Sequence, residues 1–443
     1  MGKFTWRKKE LGLTELIAIA IGGMVGGGIF SILGISAQLI GFLTPVAILA
    51  GGILAFFAAY SYVKLGVYYK DEGATYAFVR RTFPDKPIMA SFIGWYVIFG
   101  YISTLSLYAY TFASYALSGS EYAQNIWIRK AVALLVIGIF ALINIWSVKG
   151  MGKIEDLMVY LKLLILFIIS IILATHGQMS FETFAKEFLS DLEHSRLLHI
   201  LIVSSLTFVA YEGFQLVINA VNEMPDPAKN IPRAIYSAIA IVIFIYLVLA
   251  IGALFAIPLE DLIKGKEYAL ASGAARVLGK TGEFLIIFGA LLATSSAISG
   301  TVFGSSRQMA AIAEDGFMPA YLTKRSAKNI PVRAIITMSV LASSLILVGG
   351  LRLILEFGSI TFLLVSFLVS YINYKLRDKT KGSPLLTVIS LIGLGIGTLL
   401  IIYYEATHKP EQMVFILVIY LLLSFGAWFY VQKNHTAAYK SEN

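Results

Sequence analysis

Gly22-Gly23-Met24-Val25-Gly26-Gly27-Gly28-Ile29-Phe30 interrupts the first long apolar segment of this chain, which runs from about residue 12 to residue 40. A second apolar segment, about 197–222, is interrupted near its middle by Phe208-Val209-Ala210-Tyr211-Glu212-Gly213-Phe214. In hydrocarbon an unpaired backbone N–H or C=O costs several kcal/mol, so a helix unwinds only where something polar replaces its lost partners. Interruptions at matching places in the two halves of a membrane chain point to a midplane binding site for a small solute. The pair predicts a carrier.

Composition sets the class. Of 443 residues, 58% are hydrophobic and 14% charged, far from the balance of a soluble domain. Twelve segments reach or approach the roughly 20 apolar residues that cross a bilayer: 12–40, 44–69, 88–117, 127–148, 154–175, 197–221, 233–257, 281–306, 332–349, 352–374, 384–404 and 412–432. They leave no room for a second domain, so 1–443 reads as one polytopic all-α membrane unit. The net charge of +9 does not indicate nucleic acid, because the cations gather in alternate loops. Lys3, Arg7, Lys8, Lys9, Arg80, Arg81, Lys149, Lys229, Lys324, Lys328 and Lys379 fall on the side of the N-terminus. That bias predicts a cell-membrane protein with both termini in the cytoplasm. The absence of cysteine excludes disulfides, thiolate metal sites and thiol catalysis. The basic N-terminus with its apolar run has the outline of a signal peptide but no small-residue cleavage site, and is expected to be retained.

Each half opens with a broken span and continues with four unbroken ones, about 12–175 and about 197–374, the second set starting from the opposite side. This is the pattern of an inverted repeat. The last two spans, about 384–432, stand outside it and are read as accessory helices without membrane-embedded charge. The loop 176–196 carries mixed charge, from Glu182 to Arg196, and predicts a short surface helix.

Five glycines in Gly22–Gly28 permit an unwound turn and close backbone approach. A break there leaves the N–H groups of Gly26, Gly27 and Gly28 at a half-helix N-terminus, an end that suits a carboxylate. Gly23-x-x-x-Gly27 also fits plain small-residue helix packing. At the second break Val209, Ala210, Tyr211 and Glu212 offer carbonyl oxygens, which suit an ammonium; Phe208, Tyr211 and Phe214 are packing aromatics or a roof over the site. Together the breaks fit a zwitterion.

Few ionisable groups lie deep in a span. Glu15 and Lys64 sit near the inner face, within snorkelling reach. Lys162 lies about 13 Å into the fifth span at roughly 1.5 Å per residue. An ammonium at that depth is either a proton carrier or a structural cation held by Glu212 or by carbonyls. Glu212 has four readings: contact with a substrate amine, pairing with a basic side chain, proton exchange, or bonds to backbone N–H groups at the break. Thr294, Ser295 and Ser296 place hydroxyls in the apolar eighth span, where they bond back along the helix, ligate Na⁺ or accept from a lysine.

Several motifs resemble the amino acid–polyamine–organocation (APC) superfamily over nearly the whole chain. Gly26-Gly27-Gly28-Ile29-Phe30 resembles its first-helix motif and Glu72-Gly73-Ala74-Thr75-Tyr76-Ala77 the motif after the second helix. The stretch Glu223-Met224-Pro225-Asp226-Pro227-Ala228-Lys229-Asn230-Ile231-Pro232-Arg233-Ala234 resembles the one after the sixth. Ser306-Arg307 with Ala313-Glu314-Asp315-Gly316-Phe317-Met318-Pro319 resembles the loop after the eighth.

The resemblance implies a LeuT-like 5+5 inverted repeat with 12 transmembrane helices, of which helices 1 and 6 are discontinuous. It implies amino acid substrates, with the carboxylate at Met24, Val25, Gly26, Gly27, Gly28 and Ile29 and the amine near Phe208, Val209, Ala210, Tyr211 and Glu212. Lys162 falls where proton-coupled members carry a fifth-helix lysine, its ammonium bridging Gly22 to Ser295 or Ser296. Glu212 departs from the apolar or small residue frequent at that place and points to a cationic substrate. The expectation is H⁺-coupled uptake of L-amino acids, with an amino acid/polyamine exchanger as the alternative. Its partners are substrate, protons and the lipid bilayer, with no cofactor, metal or nucleic acid. No nucleophile–base pair, metal cluster or phosphate loop marks an enzyme, and nothing in the pattern fixes an oligomeric state.

Overall fold

A computed structural model of the chain describes residues 11–146, 151–177, 179–194, 197–265, 268–326 and 329–442. Lys3, Arg7, Lys8, Lys9, Lys149, Arg196 and Lys328, used above for topology or loop charge, lie outside the described residues.

Regular structure among the described residues is helical. In chain order the helices are α1 (Leu13–Met24), α2 (Gly27–Ile40), α3 (Thr44–Tyr69), α4 (Ala74–Thr82), α5 (Pro87–Leu117), α6 (Ile126–Trp146), α7 (Met151–Thr175), α8 (Phe181–His194) and α9 (Leu197–Thr207). They continue as α10 (Leu216–Asn219), α11 (Pro227–Ala256), α12 (Leu259–Gly265), α13 (Ala269–Glu314), α14 (Val332–Val348), α15 (Leu351–Lys375), α16 (Arg377–Thr380), α17 (Pro384–His408) and α18 (Pro410–Glu442). Prolines open α3, α5, α11 and α17, at positions whose N–H has no intrahelical partner in any case. Ten helical stretches among the described residues are long and apolar enough to cross a membrane, with Leu13–Met24 and Val332–Val348 as shorter apolar helices. The molecule is an all-helical polytopic membrane protein.

One buried core runs through nearly every helix. The paired segments α1 and α2 lie inside it, α1 against α11, α13 and α7, and α2 against α9, α5 and α13. Leu11 N–H donates to Glu223 O at 2.8 Å, so the start of α1 and the chain entering α11 share one face of the bundle, here called the N-face.

Two boundaries differ from the sequence reading, at α13 and α17. The eighth apolar segment belongs to a longer helix, Ala269–Glu314, broken at Gly279, whose φ of 65° lies in the left-handed region. The mixed composition of residues 258–280 hides α12 and the first part of α13 from a hydropathy scan. The loop after α7 does carry a surface helix, α8. The accessory helices also hold a charge that was not expected. α17 extends to His408 and buries Glu405 completely, beside the equally buried Glu356 of α15. Two cations meet Glu356: Arg352 Nε donates to its Oε1 at 2.6 Å and Lys409 Nζ lies 3.7 Å from the same oxygen, while neither Glu405 oxygen has a hydrogen-bond partner among the described residues.

Candidate functional site

The first break is two residues wide. α1 ends at Met24; Val25 (φ −84°, ψ 83°) and Gly26 (φ −128°, ψ −138°) leave helical geometry before α2 begins at Gly27. The first-turn N–H groups of α2 therefore lack intrahelical partners by construction. The carbonyls stranded at the end of α1 are taken by side chains of other helices. Lys162 Nζ of α7 donates to Val25 O at 2.6 Å and to Gly22 O at 3.3 Å, and lies 3.5 Å from Ser296 Oγ of α13. Tyr108 of α5 donates its hydroxyl to Gly23 O at 2.9 Å.

The second break is longer. α9 ends at Thr207, Phe208–Tyr211 tightens into a 3-10 turn, and Glu212 is extended. Gly213 then takes φ +125° before the chain re-forms as α10. Much of this stretch closes on itself. Glu212 N–H donates to Val209 O at 3.2 Å and Leu216 N–H to Gly213 O at 3.0 Å. Gln215 accepts from Gly213 N–H at 3.0 Å and donates to Glu212 Oε2 at 2.8 Å.

The two breaks touch. A side-chain carbon on Gly213 would lie 2.3 Å from the carbonyl carbon of Gly23, so neither position accepts a larger residue without displacement. One on Gly28 would lie 3.0 Å from Ala210 Cα. Tyr246 of α11 spans the junction, its hydroxyl 2.9 Å from Met24 O and 3.1 Å from Ala210 O.

Of the residues singled out in the sequence, Gly22, Met24, Val25, Gly26, Gly27, Gly28, Ile29, Phe208, Val209, Ala210, Tyr211, Glu212, Lys162 and Ser296 are all buried. Ser295 is half-buried and Lys162's hydroxyl contact is to Ser296, because consecutive helical residues point about 100° apart. Glu212 makes no ion pair among the described residues; its Oε1 is buried and without a hydrogen-bond partner there. Tyr211 does not roof the site, since its hydroxyl donates to Ile48 O at 2.8 Å. Phe214 packs edge-on against Tyr62. Val209 and Ala210 carbonyls are not free in this state, being bonded to Glu212 N–H and near Tyr246. Sequence reasoning missed Tyr108, Gln215 and Tyr246; among 24 tyrosines no spacing sets these two apart.

A family model described as amino acid permease matches residues 11–434. The chain belongs to the amino acid permease family. This permease is 30% identical to the inner membrane transport protein YbaT of Escherichia coli K12, over 87% of this chain and 88% of the relative. It is 24% identical to the branched-chain amino acid permease BcaP of Bacillus subtilis (87% and 86% covered). It is 28% identical to the rat large neutral amino acids transporter small subunit 2 (83% and 68% covered). The family and these relatives are transporters, not enzymes, and the family model, BcaP and the rat transporter are all described by amino acid transport.

On its N-face, Glu72, Gly73, Tyr76 and Arg80 bond across to Asn222, Gln308 and Asp315. Asp315, after α13, accepts from Tyr76 OH of α4 at 2.9 Å and pairs with Arg80. Burial, and then the Asp315 carboxylate, push the Tyr76 hydroxyl above its usual range, so it stays a donor. Asn222 donates to Glu72 Oε2 at 3.0 Å and Gln308 to Gly73 O at 3.3 Å. Residues in or beside the motifs after the second, sixth and eighth spans thus form one bonded cluster, here called the N-face latch.

Proposed function

We propose that this permease is a secondary active transporter that takes up L-amino acids with protons by alternating access. The observation that carries the proposal is the Lys162 ammonium seated against Val25 O and Gly22 O, with Ser296 beside it. An ammonium has three donors and no acceptor, and here it faces three acceptors from the broken first crossing and α13. While protonated it ties α1, α7 and α13 together. Loss of the proton toward the N-face removes one donor and the charge, loosens the unwound segment and lets substrate leave.

In this reading the substrate carboxylate meets the N–H groups at the start of α2, where the helix dipole favours an anion. The amine meets carbonyls of the second break near Val209, Ala210 and Glu212. Crossings α1–α2, α3, α5, α6 and α7 form one five-helix repeat, and α9–α10, α11, α13 after Gly279, α14 and α15 its inverted counterpart. α17 and α18 complete a LeuT-like set of 12, with both termini in the cytoplasm of a cell-membrane protein. The relatives named for branched-chain and large neutral amino acids favour a neutral side chain.

A second reading, exchange of cationic amino acids or their decarboxylation products, is favoured by Glu212, a buried carboxylate with one oxygen lacking a partner among the described residues. Proteoliposome uptake of labelled leucine and of labelled arginine, with and without an imposed pH gradient, separates the two. Proton coupling requires that an inward gradient accelerate leucine uptake in the wild type and not in Lys162→Ala. Gradient-independent counterflow of arginine would replace it with exchange.

A further inference from the structure

Lys64, in the third helix, is half-buried, and its surroundings have no part in the transport site. Its Nζ donates to Lys381 O at 2.9 Å and sits 5.6 Å from the centre of the Tyr60 ring. It belongs to a cleft of about 590 Å³ between the end of α3, the start of α11 and the turn joining α15 to α17. Four lysines line this cleft, Lys64, Lys70, Lys379 and Lys381, and no acidic residue does. Among the described residues none of the four makes an ion pair.

Two of these cations sit where the backbone would favour glycine. Lys70 (φ 48°) and Lys381 (φ 51°) both cap helix ends in the left-handed conformation. Glycine adopts that geometry without a Cβ penalty and is the usual residue there. At both positions the chain instead keeps a long cationic side chain, and both residues line the same cleft. Val63, Val67 and Pro232 add apolar lining, and tyrosines 60, 68 and 236 add aromatic lining. Cationic, apolar and aromatic lining together at the end of membrane-crossing helices match the chemistry of a phospholipid.

We propose that this cleft binds the phosphate of an anionic glycerophospholipid on the N-face leaflet, its acyl chain lying along α3 and α11. The lipid would clamp the turn between α15 and α17 to the two helices that follow the broken crossings. The inference does not depend on which solute is carried or on proton coupling.

The test counts lipids on the purified full-length protein by native mass spectrometry, titrating phosphatidylglycerol or phosphatidylcholine. The variants are Lys70→Gly/Lys381→Gly, which removes two cations while relieving left-handed strain and so should fold at least as well as the wild type. Lys264→Gln/Lys280→Gln, on α12 and α13 and outside the cleft, is the control. At about fivefold per lost surface charge, the double glycine variant should bind phosphatidylglycerol roughly twentyfold more weakly, and the control as the wild type. A wild type that does not prefer phosphatidylglycerol, or a preference that survives the double substitution, overturns the site. Millimolar inorganic phosphate that displaces phosphatidylglycerol from the cleft and gives the same thermal stabilisation would keep the anion site and overturn its lipid source.

Discussion

The two breaks solve one problem in opposite ways. The first is short, and its orphaned carbonyls are taken by residues from three other helices: Lys162, Tyr108 and Tyr246. The second is twice as long or more, and its own residues close most of it, through 3-10 bonds and the Gln215 side chain. An externally braced break changes shape when its braces change charge or move. A self-closed one is a preformed surface. Under the proposed mechanism the first crossing is the moving, proton-sensitive part and the sixth the fixed part.

The largest expected effect comes from removing the brace that carries charge. Lys162→Ala leaves Val25 O and Gly22 O without their donor, a loss of about 3 kcal/mol, and should cut pH-driven uptake in proteoliposomes by more than about a hundredfold. Lys162→Arg keeps the charge but cannot release its proton; uptake should become insensitive to an imposed pH gradient. If both variants transport as the wild type does, the division between the two breaks is wrong. Next comes the contact itself. Gly213→Ala faces both a positive φ and Gly23, and should lower stability by about 2–4 kcal/mol, read as a fall in melting temperature of the detergent-solubilised protein.

Smaller effects sharpen the picture. Tyr246→Phe removes the hydroxyl between the breaks without changing packing and should cost about 1–2 kcal/mol, seen as roughly a tenfold slower uptake with little change in melting temperature. Asp315→Asn opens the N-face latch; its partner Arg80 is 53% exposed, so the change is worth only about 0.5 kcal/mol. It should raise accessibility of a cysteine placed at Gln308 to a membrane-impermeant thiol reagent. Smallest of all, Ser295→Ala should leave uptake unchanged while Ser296→Ala lowers it about twofold, a hydroxyl contact to an ammonium at 3.5 Å being weak.

Much of this arrangement was legible in the chain because its causes are local. Unwinding at mid-membrane demands glycine, and five glycines in Gly22–Gly28 announce it. A lysine near the midplane of an apolar run demands acceptors, which made Lys162 conspicuous. The parts that escaped are set by tertiary placement. Tyr108 and Tyr246 are ordinary aromatics until packing aims their hydroxyls at Gly23 and Met24. Ser295 and Ser296 are indistinguishable in sequence and separated only by helix rotation. Glu405 was missed because a hydropathy window ends a span at the first charge, whereas α17 continues for one more turn against Arg352 and Lys409.

Tyr246 has a consequence of its own. A phenol carries a single proton, and two oxygens, Met24 O and Ala210 O, stand at nearly equal range to receive it. A shift of the first crossing away from Tyr246 would leave that proton to Ala210 O alone. One shared proton thus joins the braced crossing to the self-closed one.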